Sequence, residues 1–215
     1  MSDPTALSAR DQLRALDRGE VSSRELTAAH LEAIAAHPER NAVITVDEPG
    51  ALAAAEAADA RRARGGLLPP LLGLPMTVKD SLETAGLRTT CGSPGLADHV
   101  PERDADAVAL LRTAGAVLMG KTNVPPMCQD IQTGNTRFGS TRNPHDPTRT
   151  AGGSSGGAAA AVATRLTPWG SAATSRAPSG SRRTTAVRTG CAPAAASCPP
   201  GVTSRVHPVR TAPPT

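Results

Sequence analysis

Leu166 is the last leucine of the chain, Ile131 the last isoleucine and Asp146 the last acidic residue, and together they divide the sequence in two. Residues 167–215 keep only four valines and Trp169 as sizeable apolar side chains, set among proline, serine, alanine and six arginines. So few anchors cannot bury enough surface to offset the entropy of ordering the segment, which is expected to be a disordered tail. Residues 1–166 are the part able to build a core. Phe138 and Trp169 are the only aromatic residues, so that core must consist of Leu, Val, Ile and Ala.

Within the first part, helical and strand patterns alternate. Ser22 and Glu25 have the spacing of a capping box, and Leu26, His30, Leu31 and Ile34 follow at helical intervals, predicting a helix over 23–36. "NAVITV", residues 41–46, reads as a buried β-branched strand. "PGALAAAEAADARRARG" reads as an alanine-rich helix that stops at Gly65 or Gly66. "GLPMTV" is a strand, "DADAVALLRTAG" a helix and "AVLMGKTN" a strand running into a polar turn. This alternation predicts an α/β fold with a mixed, partly parallel sheet covered by helices.

The net charge of +4 is a sum of unlike parts, because the six tail arginines outweigh a remainder in which 17 basic residues face 19 acidic ones. The first residues show no basic segment followed by an apolar run, and no stretch approaches the roughly 20 apolar residues of a membrane span. A cytoplasmic protein with no membrane association is expected. Cys91, Cys128, Cys191 and Cys198 show neither CxxC pairing nor matching histidine spacing, so they read as isolated thiols, with no metal site and no cofactor expected.

Three stretches can carry chemistry. Lys79 ends a strand in "GLPMTVKDSLETAG", where burial can lower its proton affinity and make it a general base; a surface ion pair with Asp80 is the plainer alternative. The chain holds two lysines, Lys79 and Lys121, against 21 arginines, and arginine cannot replace a lysine that must titrate. In "AGGSSGGAAAAVA", Gly152 and Gly153 precede Ser154 and Ser155, and an alanine-rich helix follows. Such a turn presents hydroxyls and N–H groups at a helix start, suited to an anion or oxyanion, although a flexible connector has the same composition. "GKTNVPPMCQDIQTGNTRFGSTRNPHDPTRT" is dense in turn formers, as expected of a loop lining a site. Asp130, Gln132 and Asn135 are its polar candidates, local turn hydrogen bonding being the competing role, and His145 reads as a turn residue.

Taken in order, "GLPMTVKDSLETAGLRTTCGS", "GAVLMGKTNVPPM" and "FGSTRNPHDPTRTAGGSSGGAAAAVA" resemble the amidase signature family of amide hydrolases over roughly residues 20–166. The resemblance implies the amidase signature fold, no cofactor, a small-molecule amide substrate and a Ser–Ser–Lys triad. In that triad a neutral lysine takes a proton, through a bridging serine held in a cis peptide bond, from a nucleophilic serine. By motif, Lys79 corresponds to the base and Ser154 to the bridging serine. Ser155, Gly152, Gly153, Met127, Asp130 and Gln132 correspond to the supporting loops. Family members act on aliphatic, aromatic or fatty amides, or on glutaminyl-tRNA intermediates within an amidotransferase of several subunits.

The family's nucleophile lies about two dozen residues beyond the bridging serine, in a motif of the form G-S/T-D-I-G-G-S, and counting 24 from Ser154 reaches Pro178. Proline has neither hydroxyl nor N–H. Read from the third base of the Trp169 codon, the same codons permit "GLGSDIAGS", whose final serine straddles Ala177 and Pro178. The chain is therefore expected to be a frameshifted, truncated amidase, inactive for want of its nucleophile. Two alternatives are a working amidase using Ser171, Ser175, Ser179 or Ser181, and a non-enzymatic protein whose basic tail binds nucleic acid or acidic partners. The latter is disfavoured because neither part carries a nucleic-acid motif.

Overall fold

The computed structural model describes residues 3–171. Its centre is a three-stranded sheet in the order β1 (Val43–Val46), β3 (Val117–Thr122), β2 (Pro75–Lys79), with β1 antiparallel and β2 parallel to β3. The parallel pair requires a crossover, which α4 (Asp106–Thr113) supplies. Every residue of β2 and β3 is buried, as parallel strands covered on both faces must be. β1, expected to be buried, is half-buried and exposes Val46, because it pairs only with β3 and forms an edge.

Four further helices complete the sheet's cover or flank it. α1 (Ala9–Asp17) escapes the sequence reading, although Ser8 caps it by accepting from the Asp11 N–H. α2 (Ser23–Ala36) forms over the predicted residues with its reciprocal Ser22–Glu25 box in place. Its first turn is also held by α3 (Glu48–Ala63), whose Asp59 carboxylate accepts from the Ser23 and Arg24 N–H groups at 2.7 and 3.0 Å. Ala51, Ala55 and Ala58 make the buried stripe of α3, and α5 (Gly156–Ala163) is glycine and alanine almost throughout. On this face of the sheet Val117 and Met119 meet Leu31, Ile34, Ala55, Ala160 and Ala161. On the other, Met76, Val78 and Leu118 pack with Val108 of α4. A short ribbon, β4 (Gly134–Asn135) with β5 (Gly139–Ser140), lies in the loop between β3 and α5.

The folded part runs past the expected limit at residue 166. Leu166 and Thr167 are buried, and the chain then lies parallel to the free side of β2. Thr77 donates its N–H to the Trp169 carbonyl and accepts at its own carbonyl from the Ser171 N–H. The rest of the expected tail, 172–215, lies outside the described residues.

Candidate active site

β2 positions the first functional side chain by simple alternation. Met76 and Val78 point to the α4 face, so Thr77 and Lys79 point to the face covered by α5. Lys79 is 1% exposed, and its Nζ donates to Ser154 Oγ at 2.8 Å. Burial lowers the lysine's proton affinity, which the nearby thiols of Cys128 and Cys91 partly restore. Lys79 is thus no surface residue, and Asp80 is not its partner: the Asp80 carboxylate, completely buried, accepts from the N–H and hydroxyl of Thr90.

Ser154 arrives on a loop that tolerates no side chains at its glycines. Gly152 has φ +82°, and the Gly153–Ser154 peptide is cis. A Cβ on Gly153 would lie 2.8 Å from the Ile131 carbonyl carbon and 3.0 Å from the backbone of both Asp130 and Gln132. Thr133 ties the two loops together, donating to the Gly152 carbonyl at 2.7 Å and accepting from the Gly156 N–H at 2.9 Å. Ser155 stands at the N-cap of α5, and the Gly157 backbone packs against Asn123 at the end of β3.

The loop residues singled out in the sequence divide into two kinds. Asp130 and Gln132 contribute backbone to the cradle of Gly153, while the Asp130 carboxylate accepts locally from the Gln132 N–H. Asn135 is wholly engaged in holding the loop, donating to Asn123 Oδ1 and the Val124 carbonyl and accepting from Arg137 and Phe138. His145 sits in an Asn143-stabilised turn, as expected. Met127 is half exposed with φ +50°, and its N–H donates to the Cys91 carbonyl. Ser171 accepts from the Lys79 N–H at 3.1 Å, which places it beside the base's backbone. Pro178, Ser175, Ser179 and Ser181 lie outside the described residues.

Two features were not foreseen. Cys91 and Cys128, read as isolated thiols, hydrogen-bond to each other beside Lys79. They lie 37 positions apart in sequence, and only the apposition of the 91–92 and 124–128 turns brings them together. Lys121, completely buried, donates to the Leu82 carbonyl and to Thr84 and Thr89 Oγ1 at 2.8 and 2.9 Å. Its pairing with Val78 places it on the α4 face, opposite Lys79, and burial lowers its pKa to about 8 against the opposing pull of Asp80. The rarity of lysine was the available signal for it.

No group of three or more His, Cys, Asp or Glu side chains suited to a metal occurs among the described residues, and none of their helices is long and apolar enough to cross a membrane. What the site offers is a desolvated amine hydrogen-bonded to a hydroxyl.

The family model described as Amidase matches residues 25–174. The A-subunit of glutamyl-tRNA(Gln) amidotransferase from Roseiflexus sp. (strain RS-1) is 51% identical over 163 residues, 75% of this chain and 33% of that protein. The protein of the same name from Azoarcus sp. (strain BH72) is 52% identical over 156 residues, 72% of this chain and 32% of its own length. Among solved structures, native peptide amidase from Stenotrophomonas maltophilia matches with a TM-score of 0.70 at 38% identity, covering 74% of this chain and 34% of that one. The chain spans about a third of the length of these relatives.

Proposed function

Because the chain belongs to the amidase family, we propose that it carries the base and the bridging serine of an amide hydrolase and lacks, as given, the nucleophile that would complete them. The observation that carries this reading is the 2.8 Å hydrogen bond from buried Lys79 to Ser154 on its cis peptide. In the complete site, neutral Lys79 accepts the Ser154 proton while Ser154 accepts that of the nucleophilic serine. The freed alkoxide adds to the amide carbon, the amine or ammonia leaves with the relayed proton, and water hydrolyses the acyl-enzyme.

The missing partner is a matter of sequence. Trp169–Ser171 runs alongside β2 toward Lys79, so the residues that follow are those the family pattern would use, and Pro178 stands at the nucleophile's count. Expression of the gene with its frame restored after Trp169, to read GLGSDIAGS, tests the reading. The restored protein should release ammonia from a small amide and take a fluorophosphonate on the new serine, with Lys79→Ala or Ser154→Ala lowering kcat on the order of 10³-fold or more. The chain as given should do neither. Labelling of the given chain at Ser171, or an inert restored protein, would overturn it.

The names of the curated relatives favour one refinement, an amidotransferase A-subunit that draws ammonia from an amide side chain. Glutamine offered to the restored protein beside simple aliphatic amides distinguishes the two.

A further inference from the structure

The thiol pair beside Lys79 is not accounted for by a serine–lysine relay. Cys91 and Cys128 both occur as reduced thiols, each only partly buried. The backbones that carry them are locked together: the Met127 N–H donates to the Cys91 carbonyl at 2.8 Å, and a Cβ on Gly92 would meet the Val124 carbonyl oxygen at 2.8 Å and that of Pro125 at 2.9 Å. Both cysteines have left-handed backbone, φ +50° and +57°. The Cys91 and Cys128 thiols hydrogen-bond to each other, and Ser81 and Lys79 hydrogen-bond to Cys128.

We propose that Cys128 and Cys91 form a peroxide-reactive site, in which Cys128 attacks a hydroperoxide and Cys91 resolves the product into a disulfide beside Lys79. Cys128, its proton passed to the neutral Lys79 amine hydrogen-bonded to it, forms a bond to the distal peroxide oxygen as the O–O bond breaks, giving a sulfenic acid and, from hydrogen peroxide, hydroxide that takes that proton back from Lys79 and leaves as water. Cys91 sulfur then attacks Cys128 sulfur, the S–O bond breaks, and the oxygen leaves as a second water carrying the Cys91 proton. Two thiols are oxidised by two electrons and one peroxide is reduced by two.

The asymmetry of the pair assigns the roles. Hydrogen bonds from Cys91, Ser81 and Lys79 hold the Cys128 thiol below its ordinary range against the effect of burial. The hydrogen bond with Cys128, together with burial, pushes Cys91 up. Ser81 and Lys79 gather on Cys128, so it is the sulfur that gives up its proton, and Cys91 is the reserve thiol.

Limiting hydrogen peroxide added to the full reduced chain at pH 7, followed by non-reducing peptide mapping, tests the proposal. A peptide linking Cys91 to Cys128 should appear first, with the loss of two hydrogens. In Cys91→Ser a dimedone-trappable sulfenic acid should accumulate on Cys128, and in Cys128→Ser the oxidation of Cys91 should slow about tenfold or more. Because the map of the unsubstituted chain needs no variant, misfolding of either variant leaves the test standing. Absence of the Cys91–Cys128 link, or oxidation of Cys91 at an unchanged rate in Cys128→Ser, would overturn it.

Discussion

Two buried lysines sit on neighbouring strands of one sheet, and they are given different partners. Lys79 leaves β2 toward α5 and meets a serine hydroxyl and a thiol pair. Lys121 leaves β3 toward α4 and is enclosed by the Leu82 carbonyl and two threonine hydroxyls, with Asp80 as the opposing charge. Burial lowers the proton affinity of both. The partners decide the role. Three fixed oxygens favour an ammonium that donates to all of them and stitches the 82–89 loop to β3, whereas the partners of Lys79 are a serine hydroxyl and a thiol, each of which carries a proton of its own.

The sharpest way to break this comparison is to substitute each lysine by methionine. Lys121→Met strands three oxygens and leaves buried Asp80 without its cation, so it should cost about 3–5 kcal/mol in urea unfolding. Lys79→Met keeps the volume and removes a desolvated amine, so its cost should stay within about 1.5 kcal/mol. Equal losses would mean that both lysines are structural.

His30 extends the contrast to a buried group that is neutral with no chemistry to perform. Its Nδ1 pairs with the Arg165 carbonyl and its Nε2 with Gln12, and burial lowers its pKa from 6.5 to about 4. The unfolded chain therefore binds the proton first: stability should be unaffected above pH 6.5, fall as pH drops toward 4, and level off below, by about 3 kcal/mol in all. Urea unfolding of His30→Gln across that range should lack this part of the slope.

Gly157→Ala tests the approach of α5 to the end of β3. Its Cβ would lie 2.5 Å from the Asn123 backbone, so a cost of about 1–3 kcal/mol is expected, with Ser154 displaced from Lys79. Thermal unfolding and the Lys79 titration would report both effects. Ser154→Ala should be the mildest change in stability, about 1 kcal/mol or less, since it removes one side-chain hydrogen bond.

Much of this contrast was legible in the sequence, and what was not has a common physical cause. The α2 capping box, the alanine-rich helix of α3 and the apolar run of β2 are local patterns, and each element formed over or close to the residues that signalled it. Lys79 and Ser154, 75 positions apart, could be paired only because the motifs around them resembled a known pattern. The thiol pair and the Lys121 cage depend on turns meeting across the fold with no periodicity of their own, so Cys91 and Cys128 read as unrelated. The exposure of β1 was missed for a related reason: β-branched composition marks a strand without saying whether it lies at an edge. The limit of the folded part was misplaced because Trp169–Ser171 joins β2 through its backbone, which composition does not register.

The scarcity of lysine makes the central claim directly measurable. In a chain labelled with ¹³Cε-lysine, only Lys79 and Lys121 contribute resonances. A pH titration by NMR should show Lys121 changing charge near 8 and Lys79 below its usual 10.5, and Ser154→Ala should move the Lys79 curve alone. A Lys79 resonance that titrates at 10.5 and ignores the loss of Ser154 would contradict the relay.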